Sequence, residues 1–291
     1  MYWPRGHEMA ATSIIEAWFG ATVAARIVRA SPMLWLSMKN CVLPSLMLVA
    51  LCLFASQSPA AAQTGSADRG ASSSGQACVV LLHGLGRTNR SMDSIARAAR
   101  AEGYRVANIH YPSRSRPIEE LAAQAVPEGL RQCRRAGATP INFITHSMGG
   151  LVLRYYLSEH EVPELGRAVM LAPPNQGSEI ADLMQGNPLY DRVNGPAGGQ
   201  LVTGPEGMSA MLGPVDFPLG VITGNERTPF DGWFATQIPG ENDGKVSVES
   251  AQVEGMTDFL VLPVNHTFIV NDDEAIRQTF HFLRHERFNR D

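Results

Sequence analysis

The residues best placed to do chemistry in this chain are Thr145-His146-Ser147-Met148-Gly149-Gly150. An apolar run, Ile141-Asn142-Phe143-Ile144, leads into them, and apolar residues at helical spacing, Leu151, Val152, Tyr155 and Tyr156, lead out. A serine between a strand and a helix sits on a sharp turn, the nucleophile elbow. Its strained backbone holds Ser147 Oγ above the sheet, while the helix N-terminus turns N–H groups toward the reacting oxygen. Such a turn needs small neighbours, and Gly149 and Gly150 supply them. Thr145 stands where the motif usually has glycine, and it is larger but still small. An ordinary buried turn could carry the same five residues; the strand before and the helix after favour a nucleophile.

A nucleophilic serine needs oxyanion donors, a base and an acid. His83-Gly84-Leu85-Gly86-Arg87 follows the first strand, and a glycine-rich loop there can offer the Leu85 N–H to a developing oxyanion, with Met148 N–H as the second donor. His83 reads as a structural hydrogen-bonder holding this loop, and His146 as pointing away from its neighbour Ser147. After Ser147 the histidines are His160, His266, His281 and His285. His160 follows the elbow helix and the last two fall on a terminal helix. His266, in Val264-Asn265-His266-Thr267 directly after a strand, lies at the sheet's carboxyl edge and is the expected base. Asp243, in Gly240-Glu241-Asn242-Asp243-Gly244-Lys245-Val246, is the expected acid, holding the His266 tautomer and stabilising the imidazolium. An aspartate before glycine is also a common turn residue, and Glu241 and Asp231 remain alternatives. Asp258 is too close to the start of the last strand to reach the upper edge.

The elements that must position these groups alternate. Strands are expected at 77–82, 104–109, 141–144, 168–172, 219–222 and 259–262, with helices over Met92–Ala99, from Pro117 through Cys133 with a kink at Pro127, and after Ser147. An amphipathic helix carrying Ile276, Phe280 and Leu283 ends the chain. Strand and helix in turn imply a mostly parallel sheet with helices on both faces, an α/β class fold. Between the fourth and fifth strands, glycines and prolines from Gly186 to Pro214 punctuate Leu189, Tyr190, Leu201, Met208, Met211 and Leu212. This stretch reads either as a small lid-like loop region over the site or as a plain surface loop.

The chain has 291 residues, 44% hydrophobic and 18% charged, with a net charge of -4, the composition of a globular protein with scattered basic residues. No footprint for nucleic acid is present. Residues 1–62 differ from the rest. Lys39, an apolar run over 41–55, and Ser56-Gln-Ser-Pro-Ala-Ala-Ala-Gln63 read as a secretory signal peptide with cleavage near Ala62, the alternative being a membrane anchor. Met33 and Met38 would make better starts than Met1. Residues 63–76 are expected to be a flexible leader and 77–291 a single domain. Cys78 and Cys133 lie near the same lower edge of the sheet, either bridged or as two small buried hydrophobes.

His83-Gly84-Leu85-Gly86, Thr145–Gly150, the Asn242-Asp243-Gly244 turn with Val246, and Asn265-His266 together resemble the α/β-hydrolases, specifically the lipase-like and PGAP1-like esterase branch. The resemblance spans roughly residues 77–288. It implies the α/β-hydrolase fold and an exported serine hydrolase of carboxylic esters, acting on small-molecule or lipid acyl esters through an acyl-enzyme on Ser147. Leu171-Ala-Pro-Pro-Asn-Gln-Gly-Ser178 also looks like this branch, which implies substrate-binding positions at Gly84, Pro174 and Asn175. Contact with a membrane surface is left open. A non-catalytic binding protein of the same fold is the alternative from another class, and acyltransferase or thioesterase chemistry would use the same residues. No cofactor is implied, and no His, Asp and Glu residues cluster at metal-ligand spacing.

Overall fold

The structure, a computed structural model, describes residues 76–229 and 231–291. The expected signal segment, its cleavage point and nearly all of the leader lie outside the described residues.

Six strands form one sheet: β1 (Cys78–Leu82), β2 (Arg105–Ile109), β3 (Ile141–His146), β4 (Leu165–Leu171), β5 (Leu219–Gly224) and β6 (Asp258–Leu262). Their order is β2-β1-β3-β4-β5-β6, and every pairing is parallel. β1, β3 and β5 are buried along their whole length, which is why they read as unbroken apolar runs rather than alternating ones. The helices are α1 (Asp93–Ala101), α2 (Ile118–Arg135), α3 (Gly149–Glu159), α4 (Glu179–Met184), α5 (Pro188–Gly199), α6 (Met208–Leu212), α7 (Gly232–Ala235) and α8 (Asp273–His285).

Alternate residues of each strand feed two cores. Val80, Leu82, Phe143, Met170 and Val221 pack beneath α2 and α3 with Leu121, Leu130, Leu151 and Val152. Val79, Leu81, Ile144, Val169 and Ile222 pack on the other face against α1 and α8 through Met92, Ile95, Phe280 and Phe282. Each fully buried side chain of this size contributes about 1.5–3 kcal/mol of apolar transfer. The ends of α2 suit its dipole, with Glu119 and Glu120 in the first turn and Arg134 and Arg135 in the last, and Pro127 is accommodated within one continuous helix. Asp272 caps α8, its Oδ1 accepting from the Ala275 N–H at 2.8 Å. At the lower edge Cys78 and Cys133 are joined by a disulfide, Cα to Cα 5.8 Å, tying the start of β1 to the last turn of α2.

The stretch between β4 and β5 is not a plain loop. It folds into α4, α5 and α6, and it buries Ala197, Leu201, Val202, Met208, Val215 and Phe217 in the same core as the sheet. Gln200 anchors it to α2, its Oε1 accepting from the Ile118 N–H at 2.7 Å and its Nε2 donating to Glu119. A β-carbon on Gly198 would come within 3.6 Å of Leu85 Cδ2, so α5 lies directly against the loop that follows β1. Among the described residues no helix is long and apolar enough to cross a membrane.

Candidate active site

β3 ends at His146 and α3 starts at Gly149, leaving Ser147 on the turn with a φ of 54°, a left-handed conformation that costs a serine strain. The turn is fixed from below, where the Ser147 N–H donates to the Leu171 carbonyl at 2.9 Å. The helix can begin only with a glycine, because a β-carbon on Gly149 would sit 2.6 Å from the Leu82 carbonyl oxygen and 2.9 Å from that of His83.

The carboxyl ends of β5 and β6 supply two further loops. His266, just beyond β6, donates from Nδ1–H to Asp243 Oδ2 at 2.7 Å, and its Nε2 accepts from Ser147 Oγ–H at 3.0 Å. Asp243 is fully buried between β5 and β6; its Oδ1 accepts from the Lys245 and Val246 N–H groups at 2.9 and 2.8 Å. Asn242 fixes the turn, donating to the Ile238 and Gly240 carbonyls and accepting from the Gly244 N–H. The His266 N–H also donates to the Asp243 carbonyl at 3.0 Å, so the two loops are locked at both backbone and side chain. The structure therefore brings Ser147, His266 and Asp243 into one hydrogen-bonded chain.

The other candidates are occupied elsewhere. Asp231 accepts from the Thr228 N–H and hydroxyl, and exposed Glu241 accepts from Asn225. Asp258 pairs with Arg290 at the far end of β6. His160 stacks on Tyr156, and His281 and His285 lie side by side on α8.

His83 and His146 are both buried and neutral. Burial, the larger influence, lowers the His83 pKa to about 4. Its ring is bound on both sides, donating from Nδ1–H to the Gly84 carbonyl at 2.9 Å and accepting from the Tyr111 N–H at 3.4 Å, and it stacks on the Tyr111 ring. His146 donates from Nε2–H to the His266 carbonyl at 3.0 Å. Burial first, and the nearby His266 second, hold its pKa well below the ordinary value. A neutral neighbour adds no repulsion to a positive charge forming on His266.

Leu85 lies on the loop after β1, next to Gly84, and Met148 follows Ser147 at the head of α3. Neither backbone N–H makes a hydrogen bond among the described residues. Gly84 abuts Ser147, since a β-carbon there would be 3.0 Å from Ser147 Cβ. Pro174 and Asn175 are both buried. For Asn175 the expectation of substrate contact needs correction: its Oδ1 and backbone carbonyl accept from Arg154, and its Nδ2 donates to the Ala251 carbonyl. Its side chain is committed to holding the chain after β4.

Arg154 is one of the residues that sequence reasoning passed over. It is buried on α3 beside Val152 and Leu153, and besides Asn175 it reaches the Gly213 carbonyl at 2.7 Å, joining α3 to the stretch between β4 and β5. Burial lowers its pKa to about 10. The available signal was a lone charge among apolar helix residues. Tyr111 and Ser113 were also passed over. The Tyr111 hydroxyl donates to the His83 carbonyl, and the Ser113 Oγ accepts from the Gly86 N–H at 3.0 Å, so the segment after β2 clamps the loop that bears Leu85. Among the described residues no group of three His, Cys, Asp or Glu could hold a metal ion.

A parallel sheet with a serine on the turn between strand and helix, met by a histidine and a carboxylate from later loops, is the arrangement of one large family. The chain belongs to the alpha/beta hydrolase family, whose profile matches residues 79–281. Among solved structures it is similar to the Bacillus licheniformis lipase BlEst2 in mature form, with a TM-score of 0.57 and 19% identity over 72% of this chain and 92% of that one. It is also similar to the phospholipase PlaB from Legionella pneumophila, with a TM-score of 0.54 and 19% identity over 73% of this chain and 59% of that one. At these identities the likeness is one of fold, and it does not single out the PGAP1-like branch. No curated protein matches the sequence.

Proposed function

We propose that the protein is a serine hydrolase of carboxylic esters. The observation that carries this reading is the unbroken chain from Ser147 Oγ through the His266 ring to Asp243, at 3.0 and 2.7 Å. Asp243 holds the Nδ1–H tautomer, which leaves Nε2 as the base. As Ser147 Oγ attacks the acyl carbon, its proton passes to His266 Nε2, and the carbonyl oxygen takes up negative charge facing the Leu85 and Met148 N–H groups. The imidazolium then protonates the leaving alkoxide. Water, deprotonated by the same nitrogen, attacks the acyl-enzyme and releases the acid. The substrate class is a small-molecule or lipid acyl ester, and the lipase and phospholipase among the fold relatives are in keeping with it.

We also propose export. The apolar segment before Ala62 and the Cys78–Cys133 disulfide both fit an oxidising compartment.

Fluorophosphonate labelling of the purified protein tests the hydrolase reading, with Ser147→Ala and Asp243→Asn beside it and p-nitrophenyl esters of rising chain length as substrates. The parent labels and turns over ester. Ser147→Ala does neither, with turnover lower by about five to six orders of magnitude, and Asp243→Asn loses about 10⁴ in kcat. A folded parent that takes no label overturns the reading in favour of a binding protein of this fold.

A further inference from the structure

Two arginines flank the loop that carries Leu85, and neither has a role in the chemistry above. Arg87 lies two residues beyond Leu85, and its Nη2 donates to Thr267 Oγ1 at 3.3 Å. Thr267 directly follows His266, so this side chain reaches from the oxyanion loop to the loop of the base. Arg114 lies on the other side. A β-carbon on Gly86 would be 3.7 Å from Arg114 Nε, and Arg114 Nη1 donates to the Val193 carbonyl of α5 at 3.3 Å.

Both arginines are exposed, and neither makes an ion pair among the described residues. The surrounding chain desolvates the Arg87 guanidinium enough to lower its pKa. Lys245 is also within its electrostatic reach, but Asp231 and Asp243 answer that charge. In a chain of net charge -4, two guanidinium groups beside the loop that carries Leu85 make a local positive feature.

We propose that Arg87 and Arg114 form a cationic rim that selects esters carrying a carboxylate or phosphate close to the scissile bond. The proposal rests on the serine hydrolase reading and names its substrate class. A guanidinium presents paired N–H donors that match either anion.

The test uses the full chain and two substrate pairs. One pair is a p-nitrophenyl ester with a neutral acyl chain against one of equal length ending in carboxylate. The other is diacylglycerol against phosphatidic acid in the same mixed micelles. The parent prefers the anionic member of at least one pair; the carboxylate pair alone identifies a small anionic ester, and the phosphate pair alone a lipid headgroup. Arg87→Gln and Arg114→Gln each reduce the anionic-to-neutral ratio of kcat/KM by about 10- to 100-fold, the loss of one charge-assisted hydrogen bond. Arg97→Gln, on the outer face of α1, leaves the ratio unchanged.

A parent that hydrolyses neutral esters without anionic preference overturns the rim alone, as do variants that slow both members of a pair equally. A folded parent that neither labels nor turns over any ester overturns the hydrolase reading and the rim with it.

Discussion

Thr145, two residues before Ser147, has a fully buried hydroxyl with no hydrogen-bond partner among the described residues. A buried hydroxyl left unbonded costs about 1–3 kcal/mol. It faces the start of α3, where a β-carbon on Gly150 would approach it to 3.5 Å. Valine has nearly the same shape without that cost. Thr145→Val is therefore expected to stabilise the protein by about 1 kcal/mol, read as a higher urea midpoint, and a lower midpoint would reveal a partner for the hydroxyl. At this scale the sequence was informative wherever a residue's chemistry is rare. A serine followed by two glycines between a strand and a helix, and a histidine just after a strand, stand out by type and position. Asn175 misled because its type suits a cleft, while its partner, Arg154, comes from a helix 21 positions earlier. Such a pairing is created by tertiary packing and leaves no mark on local sequence.

The strands and the long helices follow from periodicity, and their boundaries lie within a residue or two of expectation except at the start of β4. The stretch between β4 and β5 was the harder one. Its glycines and prolines suggest irregular chain, yet they fall at the ends and joints of short helices whose burial depends on the sheet beneath them. Asn187 shows how, capping α5 by accepting from the Leu189 and Tyr190 N–H groups. The disulfide acts at the scale of elements too. It closes a loop with a sequence separation of 55, and chain entropy assigns such a cross-link about 4 kcal/mol. The double variant Cys78→Ser, Cys133→Ser is expected to lose about that much in chemical denaturation. A loss below about 1 kcal/mol would mean that the unfolded chain is already confined over this stretch.

For the whole molecule, the two buried histidines contribute to the response to acid. Both have folded pKa values below the ordinary 6.5, with His83 at about 4. Below pH 6.5 the unfolded chain takes up protons that the folded chain refuses. Their contribution to stability is thus complete above that pH, falls as the pH drops from 6.5 toward 4, and for His83 levels off beneath 4. His83 alone accounts for about 3 kcal/mol of the loss. Urea midpoints at half-unit intervals between pH 7 and pH 4 would show the decline, and a flat profile would mean that water reaches these rings in the folded state.

The distances along the chain carry one more consequence. Ser147 and the histidine that meets it are 119 positions apart, and the pairing exists only once β6 has joined the sheet beside β5. A growing chain emerging from the ribosome thus carries its serine as an ordinary alcohol for most of its synthesis. On the proposed hydrolase reading, the serine gains its base only when the last strand is in place, so an incomplete chain lacks the means of attacking an ester.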